Sequence, residues 1–297
     1  MRRWWIYQNE RFPVLAHGPL IAAFSACAVS FSSLLCHSAV PGWQAYVTAF
    51  GVCLLMFLQL RIADEFKDAD DDARWRPYRP VPRGLVTLGQ LRVVFVAAGL
   101  VQLGLVLALD VRLLAVLAVA WAYLTLMSVE FFCRVWLKQR PLVYLLTHMG
   151  IMPLVDFFGT ACEWLPRGST TPTGLGWFLA ASFFNGIVIE IGRKLRQPAA
   201  EEEGVETYSR LWGKTGGSLV WVAMLVSTLV CAGMAAHRIG FEVPVIVALG
   251  GMLGIALVAI TRFATGGLAG KRIEAMAGLW TLTLYLMLGL VPLLMRK

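Results

Sequence analysis

The chain has 297 residues, 58% of them hydrophobic and only 15% charged, with a mean hydropathy of +0.69 and a formal net charge of +8. A soluble domain carries about 25% charged residues, so there is too little polar surface here to face water on all sides. What remains is an all-α, polytopic membrane helical bundle, expected to be one domain over 1–297 with no soluble catalytic domain attached.

The opening "MRRWWIYQNERFP" is basic and aromatic and leads to no cleavage site, so we read it as an interfacial segment ahead of the first span, not a signal peptide. Nine apolar spans follow, at about 14–36, 43–62, 88–108, 112–130, 141–161, 173–192, 217–236, 242–262 and 275–295. The breaks are "HSAVPG", "EWLPRGSTTPTG" and "ATGGLAGKR" among others. With the N-terminus in the cytoplasm, 21 of the 26 Lys and Arg fall on the cytoplasmic side. The net charge is therefore mainly a topology signal, and no motif ties it to nucleic acid. The expectation is a multi-pass protein of a bacterial cytoplasmic membrane. The six cysteines form no C-x-x-C pair, so neither a zinc site nor a disulfide framework is suggested.

The second span ends in "RIADEFKDADDDARWRPYRPVPRG", 61–84, with six carboxylates and six cations. Asp64, Asp68 and Asp72 are spaced i, i+4, i+8 and share one face of a helix continuing the span, with Asp71 close by. Like charges so placed repel unless cations occupy them. Magnesium favours a few carboxylates together with substrate phosphate oxygens, and arginines grip such oxygens bidentately. The row therefore suits a magnesium-bound diphosphate. The prolines of "RPYRPVPRG" give a stiff frame for the arginines. The competing reading is a juxtamembrane loop whose charges merely neutralise each other.

This acidic face followed by "RPYRPVPRG" resembles the first signature of the UbiA superfamily of intramembrane prenyltransferases, N-D-x-x-D-x-x-x-D followed by R-P-x-x-x-G. The resemblance covers nearly the whole chain. In register, Asp64 and Asp68 match its last two aspartates, while Leu60 and Arg61 stand where the family has Asn-Asp. The resemblance implies metal ligation by Asp64 and Asp68, with Asp71 and Asp72 able to take over metal duty, and diphosphate contacts from Arg61 and Arg79. "GVETYSRLWG", 204–213, resembles the stretch trailing the second signature, whose D-x-x-x-D is not present. Glu190 is the candidate at the helix end and Glu201 or Glu202 in the loop; Arg193 and Lys194, at the helix mouth, are candidate diphosphate contacts. A solvated loop explains "EEE" equally. Lys138 and Arg140 resemble the family's Lys-Arg pair between spans four and five, and the positive-inside rule also accounts for them.

His148 and Asp156 lie two turns apart on one face of span five, where ionisable groups turn to the bundle interior. They are candidates for an acceptor pocket or for a satisfied buried pair; His17, Glu130 and Asn185 are weaker ones of the same kind. A recurring acidic-basic constellation, after spans two and six, suggests two related halves.

The resemblance implies magnesium-dependent transfer of a prenyl group from a prenyl diphosphate to a lipophilic acceptor within the bilayer. Alternatives are a terpene cyclase of the same fold and a non-catalytic lipid- or ion-binding or transport protein. Single cysteines placed at Ala73 and Ala199, in a background without native cysteines, should label from the same, cytoplasmic side with a membrane-impermeant reagent; opposite accessibility would overturn the topology.

Overall fold

The structure is a computed structural model and describes residues 2–296. Its described residues form fourteen α-helices. They are α1 (Arg2–Arg11), α2 (Val14–Leu35), α3 (Trp43–Lys67), α4 (Ala69–Trp75), α5 (Leu88–Leu109), α6 (Leu113–Ser128), α7 (Arg134–Lys138), α8 (Pro141–Met149) and α9 (Ile151–Trp164). Then come α10 (Leu175–Arg193), α11 (Tyr208–His237), α12 (Glu242–Ala264), α13 (Gly270–Leu288) and α14 (Leu290–Met295). Eight stretches of these are long and apolar enough to cross a membrane, and α6, at 16 residues, is a shorter apolar ninth. The helical membrane bundle expected from composition is therefore what forms.

The chain divides into two compact units, Met1–Val29 with Pro41–Thr170, and Ser30–Val40 with Thr171–Lys297. In the first, α3 packs against α5 and α9, and α6 against α9. Apolar helices gain nothing from leaving lipid for one another, so polar side chains and close packing hold them. Gln102, fully buried on α5, donates to the Val52 carbonyl of α3 (3.1 Å) and accepts from the Trp121 indole of α6 (2.9 Å). Gln59 reaches back from α3 to the Phe95 carbonyl at 3.1 Å. Thr87 and Gln90 form a reciprocal capping box that starts α5. The faces of α5 carrying Val93, Leu100 and Leu107 are exposed, as lipid contact requires.

In the second unit α10, α11, α12 and α13 pack in sequence, and α10 also meets α13. Gly192 permits this: a Cβ there would lie 2.9 Å from the Ala277 Cβ and 3.2 Å from the Trp221 indole nitrogen. That nitrogen donates to the Val188 carbonyl at 3.0 Å.

Two boundaries differ from expectation for local reasons. The second span runs on to Lys67 instead of ending at 62, because Arg61 pairs forward with Asp64 and Glu65, and Lys67 back with Asp64, one helical turn away. Helix α11 starts at Tyr208, well before the expected span at 217, and bends at Gly213, whose φ of 70° and ψ of 163° lie outside the helical region.

Replacing Gln102 by Leu removes both interhelical bonds and leaves the Trp121 N–H unpartnered in an apolar layer. We expect a loss of about 1–2 kcal/mol, read as a lower thermal midpoint of the detergent-purified protein.

A candidate diphosphate site at the end of the second span

The charged segment begins where α3 leaves the apolar layer. α3 stops at Lys67, Asp68 bends (φ −97°, ψ 8°), and α4 resumes at Ala69. Backbone bonds still run from the Asp68 N–H to Asp64 and from the Asp72 N–H to Asp68, at 2.9 and 2.8 Å. The expected row of three equivalent aspartates is nonetheless not kept. The Asp64 side chain is 46% exposed, whereas that of Asp72 is 2% exposed.

Asp72 is the centre of an arginine knot. Arg76 lies 2.7 Å from one of its oxygens, Arg79 donates to both at 2.9 and 2.7 Å, and Arg11 of α1 stands 3.8 Å away. So Arg79, expected on a diphosphate, is spent on Asp72. A second buried carboxylate, Glu65, was not singled out by sequence reasoning. It accepts from Arg11 and, at 3.1 Å, from Arg61. The i+4 spacing from Arg61 was the available signal; the pairing with Arg11, 54 residues away, left none. Burial holds the Arg11 guanidinium below its ordinary value and pushes the Tyr7 phenol up. Tyr7 shares a small core with Ile62, Val86 and Leu91, which docks α1 against α3 and α5.

Asp64 is far more open than Glu65 or Asp72. Arg61 and Lys67 both lie 3.6 Å from it. Burial raises the Asp68 carboxyl pKa, with Lys67 opposing. Asp71 meets Lys138 at 3.5 Å, both about half exposed, which ties α4 to α7. Arg140 stacks over Trp136, 4.5 Å from the ring centre.

Beside Asp64 lies a cluster of Lys67, Glu130, Tyr144 and His148, of which sequence reasoning singled out only His148 and Glu130. Lys67 donates to the Tyr144 hydroxyl at 2.8 Å and stands 3.8 Å from Glu130. Tyr144 stacks on His148 with ring centres 3.8 Å apart. The break between α8 and α9 helps to set these rings, since the Tyr123 hydroxyl takes the Thr147 carbonyl at 2.7 Å. Asp156 and Asn185 are both fully buried; Asn185 accepts from Thr281 at 3.1 Å. His17 packs its ring 5.2 Å from that of Phe12.

In the second unit, Glu190 is paired with Arg193 of its own helix (2.6 Å) and with Lys194 just past the helix end (2.8 Å). Both oxygens of Glu201 lie 2.7 Å from the Thr207 hydroxyl, and Glu202 meets Arg196 at 3.1 Å. A pocket of ≈ 410 Å³ is lined there by Glu201, Glu202, Arg196, Arg210 and Lys214. Among the described residues no three His, Cys, Asp or Glu come together as a metal-holding group. Asp64 and Asp68 suit magnesium in a narrower way. One or two carboxylates suffice when phosphate oxygens and water complete the shell, and Asp64 is open enough to offer them.

The sequence matches the UbiA prenyltransferase family over residues 23–282, most of the chain, and the protein belongs to that family. Its fold is similar to the apo structure of a UbiA homolog from Aeropyrum pernix K1, with a TM-score of 0.67 at 12% identity, covering 90% of this chain and 94% of that one. It is also similar to a structure described under digeranylgeranylglyceryl phosphate synthase in membranes, with a TM-score of 0.62 at 12% identity, covering 97% and 98%. No curated protein matches the sequence.

Asp72→Asn leaves three arginines around a neutral amide. Breaking a buried ion pair from one side costs about 3–5 kcal/mol, so we expect this variant to unfold far earlier than Asp68→Asn, whose carboxylate anchors no arginine knot. Comparable thermal stability of the two would refute the structural role of Asp72.

Proposed function

We propose that the protein transfers a prenyl group from a prenyl diphosphate to a lipophilic acceptor, with the diphosphate at the end of the second span. The observation that carries this is an accessible carboxylate, Asp64, at the end of a membrane-spanning helix and flanked by cations, in a chain of the UbiA family. Asp64 and Asp68 are the residues that would hold magnesium brought in with the diphosphate. When bound, the metal would supply positive charge against the leaving group.

The chain's own part is positioning and charge. Arg61 and Lys138 are the cations placed to donate to diphosphate oxygens, Arg61 in the position where the family has a carboxylate. Such donors stabilise charge as the allylic C–O bond ionises, and they do so without reorganising. The apolar helices keep water away until the acceptor takes the cation. In this reading His148 and Asp156 belong with the acceptor. The N-terminus lies in the cytoplasm, on the side of the charged segments.

A second reading has one specific support: each buried carboxylate of the first segment already has its own cation. A member of the family that binds prenyl diphosphates without turning them over would show that too. Incubating purified protein with labelled prenyl diphosphates and magnesium, with and without a membrane extract, decides. Release of diphosphate supports the transferase; binding without release supports the other reading. Asp68→Asn is nearly isosteric and should lower turnover on the order of a hundredfold, since lost charge stabilisation commonly costs about 3 kcal/mol. Turnover left intact would discard Asp68 as a ligand.

A further inference from the structure

Three successive residues with large side chains, Glu130, Phe131 and Phe132, have φ of 51°, 51° and 59°. This is the left-handed region, which residues other than glycine enter at a cost and seldom in series. Strain of this kind persists where surrounding structure enforces it, and its presence asks what it holds in place. Here it holds the Glu130 carboxylate, 2% exposed, under the end of α3. One of its oxygens lies 3.8 Å from Lys67 and 3.5 Å from the Tyr144 hydroxyl. The other is buried without a hydrogen-bond partner. A carboxylate so placed has unused capacity for a cation.

Lys67 stands between two carboxylates at nearly equal distances, 3.6 Å from Asp64 and 3.8 Å from Glu130. The Tyr144 hydroxyl and ring fix its inner side, with the ammonium 5.4 Å from the ring centre. A cavity of ≈ 20 Å³, about one water in size, is bounded by Asp64, Lys67, Ser128 and His148. The ammonium therefore has a second partner within 4 Å and a small open space beside it.

We propose that Lys67 is a resident counter-cation: it occupies Asp64 when no diphosphate is bound, and withdraws onto Glu130 when a divalent cation arrives with one. Bare metal must compete with a charge already in place. A metal-diphosphate pair brings anionic oxygens for Arg61 and displaces Lys67 at little cost, because Glu130 receives it. Metal and diphosphate thus enter together, and by linkage each raises the affinity for the other. The proposal rests on the prenyl-diphosphate reading only for the identity of that anion.

The test is a titration of manganese(II) into the metal-free, detergent-purified full chain, following free aqueous manganese by electron paramagnetic resonance. The two key substitutions should move affinity in opposite directions, which a merely structural defect would not do. Lys67→Met should bind manganese about tenfold tighter or more, since a positive charge within 4 Å of a ligand is gone. Lys67→Arg should stay near wild type. Glu130→Gln should bind several-fold more weakly, because Lys67 loses its alternative partner and stays on Asp64. Should Glu130→Gln fail to fold, Tyr144→Phe, which also loosens the inner side of Lys67, reads in the same direction. Manganese binding no tighter in Lys67→Met, or no weaker in the inner-side variant, overturns the proposal. Wild-type protein that releases no diphosphate from any labelled prenyl diphosphate, yet keeps this order of manganese affinities, would sink the transferase reading and support the counter-cation.

Discussion

A charge at the end of an apolar helix must be matched at once, or the helix cannot carry it to the edge of the membrane. Removing an ion from water without a partner costs several kcal/mol even after relaxation, and α3 ends in a run that cannot all face water. The structure answers with cations drawn from α1, α3 and the proline-rich segment. Glu65 is held between Arg11 and Arg61, and Asp72 among Arg11, Arg76 and Arg79. Arg11 serves both, so the docking of α1, the end of α3 and the start of α4 form one electrostatic unit.

Compensation also decides which groups stay available. Asp72 and Arg79 are consumed, although a helical wheel puts Asp72 in line with Asp64 and Asp68. Asp64 stays open, with Arg61 and Lys67 beside it, and so does Asp71, paired with Lys138. The departure from the family's Asn-Asp pair then has a physical meaning. Arg61 supplies the charge that makes buried Glu65 tolerable and at the same time borders the open carboxylate. A lysine in its place would lack the planar fork that reaches Glu65 and Asp64 together.

The second charged segment uses the same chemistry more locally. Glu190 is matched by Arg193 and Lys194 within one turn, and Glu201 by the hydroxyl of Thr207, the residue that caps α11. Its carboxylates are tied to helix ends in this way, with Glu201 reaching back over the loop to the cap.

The sequence by itself determined the class, the rough extent of most spans and the place of the charged segments, because hydropathy and helical period are local properties repeated over about twenty residues. It also determined the resemblance to UbiA, through the short stretch from Arg61 to Gly84. Only the tertiary structure decided which charges meet. Arg11 and Glu65 are 54 residues apart, and Lys67 and Tyr144 are 77 apart. No periodic pattern joins such positions, so the pairings of Arg11 with Glu65 and of Lys67 with Tyr144 leave no sequence signal, and the helical period groups Asp72 with Asp64 although Asp72 is buried. The left-handed turn at Glu130 is likewise invisible to local preference, since it runs against it. It persists because the structure packed around it enforces it.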